Sequence, residues 1–326
     1  MYSRRDFGKI ALAGTPFCIA LGASIDSRVN GVRLGACTYN FRDMDLPRTP
    51  GAGNVDAIIP VLTDLRIGEI QLSASDVEPG ARGRAGAAPG GAPGARGGAP
   101  AAGRGGRTAS PEALKAGEDL RHWRLSTPID HFKAIRKKFD TAGISVFTYT
   151  INYRDDYTDE EIDKTFEQAQ ALGVKVISSS TQLTMAKRLV PFAEKHKMVV
   201  ALHGHANVTD PNEFSTPTTF QKGMDMSKYF KVNLDVGHFF AGGFDPVAYI
   251  QEHHGRITHL HMKDRLKDGG PNMPWGEGDT PIKQVLVLLK TRKYPIPAFV
   301  EYEYRGPGTP VEETRKCMDY MRKALA

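Results

Sequence analysis

Met198-Val-Val-Ala-Leu-His203-Gly-His205 is a short apolar run that ends in imidazoles, and three later stretches repeat its plan. They are Phe230-Lys-Val-Asn-Leu-Asp235, Ile257-Thr-His-Leu-His261-Met-Lys263-Asp264 and Ala298-Phe-Val-Glu301. A strand covered on both faces reads as a continuous apolar run rather than an alternation. Working outward, eight such runs are found: Val32–Tyr39, Ile67–Ser73, Ile144–Thr150, Val174–Ser179, Met198–His203, Phe230–Asp235, Ile257–Met262 and Ala298–Tyr302. Helical patterns fall between them. Eight strands alternating with helices in one domain predict a single α/β unit, a (β/α)₈ TIM barrel. An open doubly wound sheet is the alternative, but no Gly-rich phosphate loop follows any of the strands.

The helix signals are specific in places. Thr127 is read as an N-cap with Pro128 at the first helical position. Ile129, Phe132, Ile135 and Phe139 then form an apolar stripe that stops before Gly143. Thr158 with Glu161 makes a capping-box pattern, and Ile162, Phe166, Ala169 and Leu172 continue that face up to Gly173.

The formal charge of +6 is concentrated in two appendages. Residues 1–23 carry a net +2, residues 80–110 a net +5, and the remainder one negative charge. The basic balance therefore makes no general case for a nucleic-acid partner. Ser3-Arg4-Arg5-Asp6-Phe7-Gly8-Lys9, followed by a mildly apolar Ala/Gly-rich stretch, reads as a twin-arginine (Tat-type) signal peptide over residues 1–23. That places the mature protein in the periplasm or outside the cell, with no membrane contact after cleavage. Gly80 to Ser110 is almost entirely Gly, Ala, Pro and Arg and cannot bury enough surface to offset its ordering entropy. It is read as a disordered, tolerated insertion; its Arg-Gly-Gly repeats are weighed against that as an RNA-binding signal and set aside. Of three cysteines, Cys18 leaves with the signal, and Cys37 and Cys317 are favoured as buried free thiols over a disulfide.

Functional groups of such a barrel collect at the C-terminal ends of the strands. The fifth to eighth strands place His203, Asp235, His261 and Glu301 there. Mixed imidazole and carboxylate donors suit Mn, Zn, Fe or Co, with Mn favoured, rather than Ca or Mg. Any one of these side chains alone is more often structural or solvated; four consecutive strands ending this way is the signal. Glu303 shares a face with Glu301 and is the alternative eighth-strand ligand. His238, three residues past Asp235, falls in the loop beyond its strand, where it contacts a substrate hydroxyl or orients a ligand. His205 and His259 lie two residues from proposed ligands and so point to the same side. Lys263 and Arg265 begin the loop after the seventh strand, facing a sugar oxygen or phosphate. His196, His253 and His254 are read as surface residues on helices.

Over residues 31–326, outside the insertion, the chain resembles the xylose isomerase-like TIM barrels of the sugar phosphate isomerase/epimerase type, which include tagatose and psicose 3-epimerases. The motifs that carry the resemblance are Leu234-Asp235-Val236-Gly237-His238, His259-Leu-His261-Met-Lys-Asp264, Trp275-Gly-Glu-Gly-Asp279 and Phe299-Val-Glu301. It implies metal ligation by Asp235, His261 and Glu301 and substrate contact by His238. The family pattern has Glu at the end of the fifth strand, both ligand and one of two opposed bases; this chain has His203. With that carboxylate replaced, Glu301 or a histidine is left as the main base. The resemblance implies an enzyme acting on a small carbohydrate by α-proton abstraction beside a carbonyl, giving isomerisation or epimerisation. Two alternatives stand beside it: an exported keto-glycoside lyase, since elimination needs only one base, and a non-catalytic sugar-binding barrel. The oligomeric state, a homo-oligomer included, stays open.

Overall fold

The computed structural model describes residues 24–49, 53–79 and 110–326. The signal-peptide reading of residues 1–23 and all but Ser110 of the proposed insertion lie outside the described residues. Eight parallel strands follow in sequence order: β1 Val32–Cys37, β2 Glu69–Ser73, β3 Ser145–Thr150, β4 Val176–Ser179, β5 Val199–His203, β6 Phe230–Asp235, β7 Ile257–Met262 and β8 Ala298–Val300. Each pairs with its successor, and β8 returns to β1 through Leu34–Ala298, Gly35–Phe299 and Ala36–Val300, which closes the barrel. A two-residue strand, Arg28–Val29, adds an antiparallel hairpin to the start of β1. The sheet is therefore the expected (β/α)₈ barrel, with helices packed around it.

Closure explains why the strands read as they do. Ile70, Leu72, Val200, Leu202, Val232, Leu234, Leu260 and Met262 are fully buried between sheet and helices. Inside the barrel the residues are mixed rather than apolar. From its lower end Arg33 pairs with Glu69 and lies over the Phe147 ring. Phe147 meets Phe299 and His259 edge-on, and Gly35 leaves the room that the Phe299 ring fills. The interior is thus a filled column, as in other barrels of this kind, and it leads upward to the strand ends.

Two local expectations need correction. Thr127 is not an N-cap: a further helix, Pro111–Ser126, precedes it, and the Thr127 hydroxyl donates to Trp123 O at 2.6 Å at that helix's C-terminus. The next helix, Ile129–Thr141, starts after Pro128 without a side-chain cap. The missed helix carries its own signal, Ser110 accepting from Ala113 N with Pro111 at N1, but no residue of it is buried. A polar-all-round pattern hid it. The capping box of Thr158 and Glu161 forms as expected, and Gly143 and Gly173 both have positive φ after their helices. Cys37 and Cys317 are buried free thiols.

Candidate metal centre

Register delivers the four strand-end residues to one place. His203 lies beside Asn233, Asp235 beside His261, and Met262 beside Val300, one residue before Glu301. His203, Asp235, His261 and Glu301 are all buried, and one donor atom of each lies within 4.8 Å of the others. Asp235 has a second duty. Its Oδ1 accepts from the His238 backbone N–H at 2.6 Å and caps the short helix Val236–Ala241. His238 is therefore on the first turn of a helix, not in an open loop, and a six-residue helix fixes its place relative to Asp235. The other oxygen, Oδ2, is buried and accepts no hydrogen bond. An unsatisfied buried carboxylate oxygen is costly unless a cation meets it.

The histidines are held by groups that the strand-end pattern does not reveal. Gln71, on β2, places its carboxamide oxygen 2.9 Å from His261 Nε2 and 2.7 Å from His259 Nε2. One acceptor oxygen facing both nitrogens puts a hydrogen on Nε2 of each ring. The Asn233 amide lies 3.0 Å from His261 Nε2 and its oxygen otherwise has no partner, so turning that amide makes it a second acceptor there. His261 Nδ1 donates to Glu301 Oε2 at 3.1 Å, and it is this nitrogen, on losing its hydrogen, that would turn a lone pair to a cation beside Glu301. The Asn233 carboxamide lies 3.2 Å from His203 Nδ1, and Nε2 of that ring makes no hydrogen bond among the described residues. Such partners orient the ligands of metal sites. Gln71 was legible only as a polar residue inside an apolar strand. His259 belongs to this supporting layer: it is buried between Gln71, Phe147 and Phe299.

Charge in the cluster is unequal. Lys263, itself buried, has Nζ 3.1 Å from Asp235 Oδ2, 2.9 Å from Glu301 Oε2 and 2.7 Å from Glu303 Oε2. Burial pushes the Asp235 carboxyl up to about 7 against the pull of Lys263. Burial acts the same way on Glu301, but Lys263 and His261 hold it well below the usual carboxylate range. Burial disfavours a charge on His261, yet Cys37 and Glu301 together raise its proton affinity well above the ordinary value. Glu301 carries that effect, since burial keeps the Cys37 thiol protonated. Burial holds His203, His205 and His238 neutral. Three carboxylates against one ammonium, two imidazoles at the same point, and an Asp235 oxygen that meets a cation but accepts no hydrogen bond fit a divalent cation of the nitrogen- and oxygen-binding transition series.

The residues read as substrate contacts surround this cluster. His205 is close to His203 and His238, with ring centroids 5.1 and 5.4 Å away. His238 is bracketed: Arg265 Nη1 donates to its Nδ1 at 2.6 Å, and Lys263 Nζ stands 2.9 Å from its Nε2. Arg265 is buried, and its guanidinium also donates to Gly270 O, so it braces His238 from behind. Asp264 builds the loop after β7. Its carboxylate accepts from the backbone N–H groups of Gly276, Gly278 and Thr280 at 2.7, 3.1 and 3.3 Å. The Trp275–Asp279 motif is therefore a wrapped loop around one aspartate. Of the early-strand residues, Tyr39 is exposed and stacks with Arg42, and Tyr149 is packing. Glu78 is buried in a bidentate pair with Arg124 at 2.6 and 3.0 Å. His196, expected at the surface, lies against Phe166 and bonds to Asp163 at 2.7 Å.

The model of the family described as "Xylose isomerase-like TIM barrel" matches residues 118–324. The chain belongs to that family. Among curated relatives it is 23% identical over 180 residues to the L-ribulose-5-phosphate 3-epimerase UlaE of Salmonella paratyphi A, a match covering 51% of this chain and 63% of the relative. The chain thus spans under two thirds of that relative's length. Solved barrels of like fold include the 3-keto-D-glucoside 4-epimerase YcjR of E. coli, with TM-score 0.55, 12% identity, and 90% of this chain and 99% of that one covered. Another is the IolI protein crystallised with a zinc atom, with TM-score 0.55, 14% identity, and 90% and 96% covered. At these identities the solved structures establish the barrel, and the residues at its mouth must carry any statement of chemistry.

Proposed function

We propose that this barrel is a divalent-metal-dependent enzyme acting on carbohydrate carbonyl compounds in the manner of a sugar isomerase or epimerase. The observation that carries the reading is the convergence of His203, Asp235, His261 and Glu301 on one buried point at the strand ends. The epimerase activities of UlaE and YcjR support the substrate class, and the zinc atom bound by IolI supports a metal-binding member of this fold. His203, Asp235, His261 and Glu301 would hold a Mn, Zn, Co or Fe ion there, which would supply Lewis acidity for a carbonyl and for the negative charge that develops as the neighbouring proton leaves. Mn is the favoured ion. Glu301, kept ionised by Lys263 and His261, is the base for the α-proton. His238, held in place by Asp235 and Arg265, takes a sugar oxygen, and His205, Lys263 and Arg265 line or brace the same space.

A second reading is favoured by His203. A carboxylate opposite Glu301 is what a reversible two-base epimerisation uses, and this chain has a neutral imidazole at that strand end. Elimination of an aglycone from a 3-keto-glycoside needs one base and a good leaving group. Incubating the Mn- or Zn-loaded protein in D₂O with free ketoses and with 3-keto-glycosides separates the readings. Deuterium at the α-carbon with C3 epimers identifies the first; aglycone release identifies the second. Sugar binding without metal dependence would overturn both in favour of a non-catalytic binding barrel. Export by the twin-arginine route is proposed from Arg4-Arg5 and its context, and cell fractionation of the full chain against an Arg4→Lys/Arg5→Lys variant tests it.

A further inference from the structure

Lys263 is buried in the same cluster of oxygens that the proposed metal uses. Its ammonium sits 3.1 Å from Asp235 Oδ2 and 2.9 Å from Glu301 Oε2, but neither contact is a hydrogen bond. Its aligned bond to a carboxylate is the one to Glu303 Oε2, at 2.7 Å. On its remaining side is His238 Nε2 at 2.9 Å. Arg265 always donates, so it makes His238 Nδ1 the acceptor and leaves the ring hydrogen on Nε2. Two donors then face each other across the Lys263–His238 contact, which holds neither in place. The ammonium is thus anchored outward by Glu303 and attracted inward only by charge.

A divalent ion binds carboxylate oxygens at about 2.0–2.2 Å. An ammonium about 3 Å from those same two oxygens would stand against the ion at close range, where like charges in a buried site repel strongly. We propose that Lys263 is a resident cation which holds Asp235 and Glu301 in the metal-free barrel and exchanges with the metal, withdrawing onto Glu303 when the ion enters. The proposal rests on the metal-site reading above. It makes Glu303, which is not a member of the four-ligand cluster, the residue that sets how readily the site loads. It also gives Lys263 two positions: one within the ligand cluster, and one beside Glu303 and His238, where its ammonium faces the substrate space.

Isothermal titration of the full chain with Mn²⁺ and Zn²⁺ tests this. Lys263→Met removes the competitor, and its affinity should rise roughly tenfold or more over the wild type, in the usual range for coupled ligands. Glu303→Gln removes the retreat partner and should lower affinity. In the Lys263→Met background the Glu303→Gln effect should largely vanish; if it persists undiminished, Glu303 acts on the metal directly and the exchange is overturned. Equal or weaker binding by Lys263→Met overturns it as well. If Lys263→Met fails to fold without metal, Lys263→Gln and refolding in the presence of Zn²⁺ supply the same comparison. Failure of the wild type and both variants to bind either ion sinks the metal-site reading itself, an outcome distinct from equal affinities.

Discussion

At the scale of single residues, the side chain that departs from the family pattern and the one that supports its neighbours invite different tests. His203 stands where a second carboxylate is expected, and burial keeps it neutral. A His203→Glu variant should still bind one metal and should gain α-proton exchange on ketoses, read as deuterium incorporation by NMR. Metal retention without that gain would show that the missing carboxylate is not what separates this chain from two-base epimerases. Gln71 holds the hydrogens of His259 and His261 on Nε2. Gln71→Met should weaken metal affinity about 10–100-fold, the usual cost of losing a group that orients a ligating histidine, while Gln71→Glu, which keeps the acceptor, should retain more of it. Competition with a chromophoric chelator measures both. The four strand-end residues were legible because strand ends in a barrel share one rim. Gln71 was not, since its partners lie 188 and 190 positions away and no local pattern encodes such a contact.

At the scale of elements, two connections give the rim its shape. The loop after β7 is wrapped on Asp264, and a Cβ at Gly278 would collide with that carboxylate. Gly278→Ala should destabilise the fold by about 1–3 kcal/mol, as overpacking does, with the midpoint of urea unfolding as the readout. The helix Pro111–Ser126 has no buried residue, yet its Arg124 makes the bidentate pair with Glu78 on the near side of residues 80–109. Arg124 also lies 3.4 Å from Glu161 and over the Tyr157 ring. Arg124→Met leaves Glu78 buried without its partner, a change that costs about 3–5 kcal/mol where a pair is well buried. A fall in thermal midpoint larger than that of exposed Lys115→Met checks it. Composition marks where the insertion lies; the ion pair across it joins residues that sequence periodicity cannot relate. That same absence of an apolar face is why the helix was missed and why Thr127 was misread as the start of the next one.

For the whole molecule, the metal and the fold should be coupled. Three carboxylates converge on the buried Lys263, and a divalent ion that binds only the folded barrel would stabilise it by mass action. At a free ion concentration 100 times Kd that amounts to about 2.7 kcal/mol, so the thermal midpoint should rise with added Mn²⁺ or Zn²⁺ and fall again with chelator. A midpoint indifferent to both would argue against a metal at the rim. The sequence by itself determined the barrel. Buried parallel strands leave apolar runs that stand apart from the helices between them, and the ends of β5 to β8 must gather on one rim whatever the details. It also placed His203, Asp235, His261 and Glu301 among the residues that gather there. Only the tertiary structure decided what surrounds them: Gln71 under the histidines, Arg265 behind His238, and Lys263 among the carboxylates. Those relations depend on closure, which brings β1 beside β8 and β2 across from β7. Which side chains share a layer inside a closed barrel follows from stagger and register, and neither is written in the spacing of one strand.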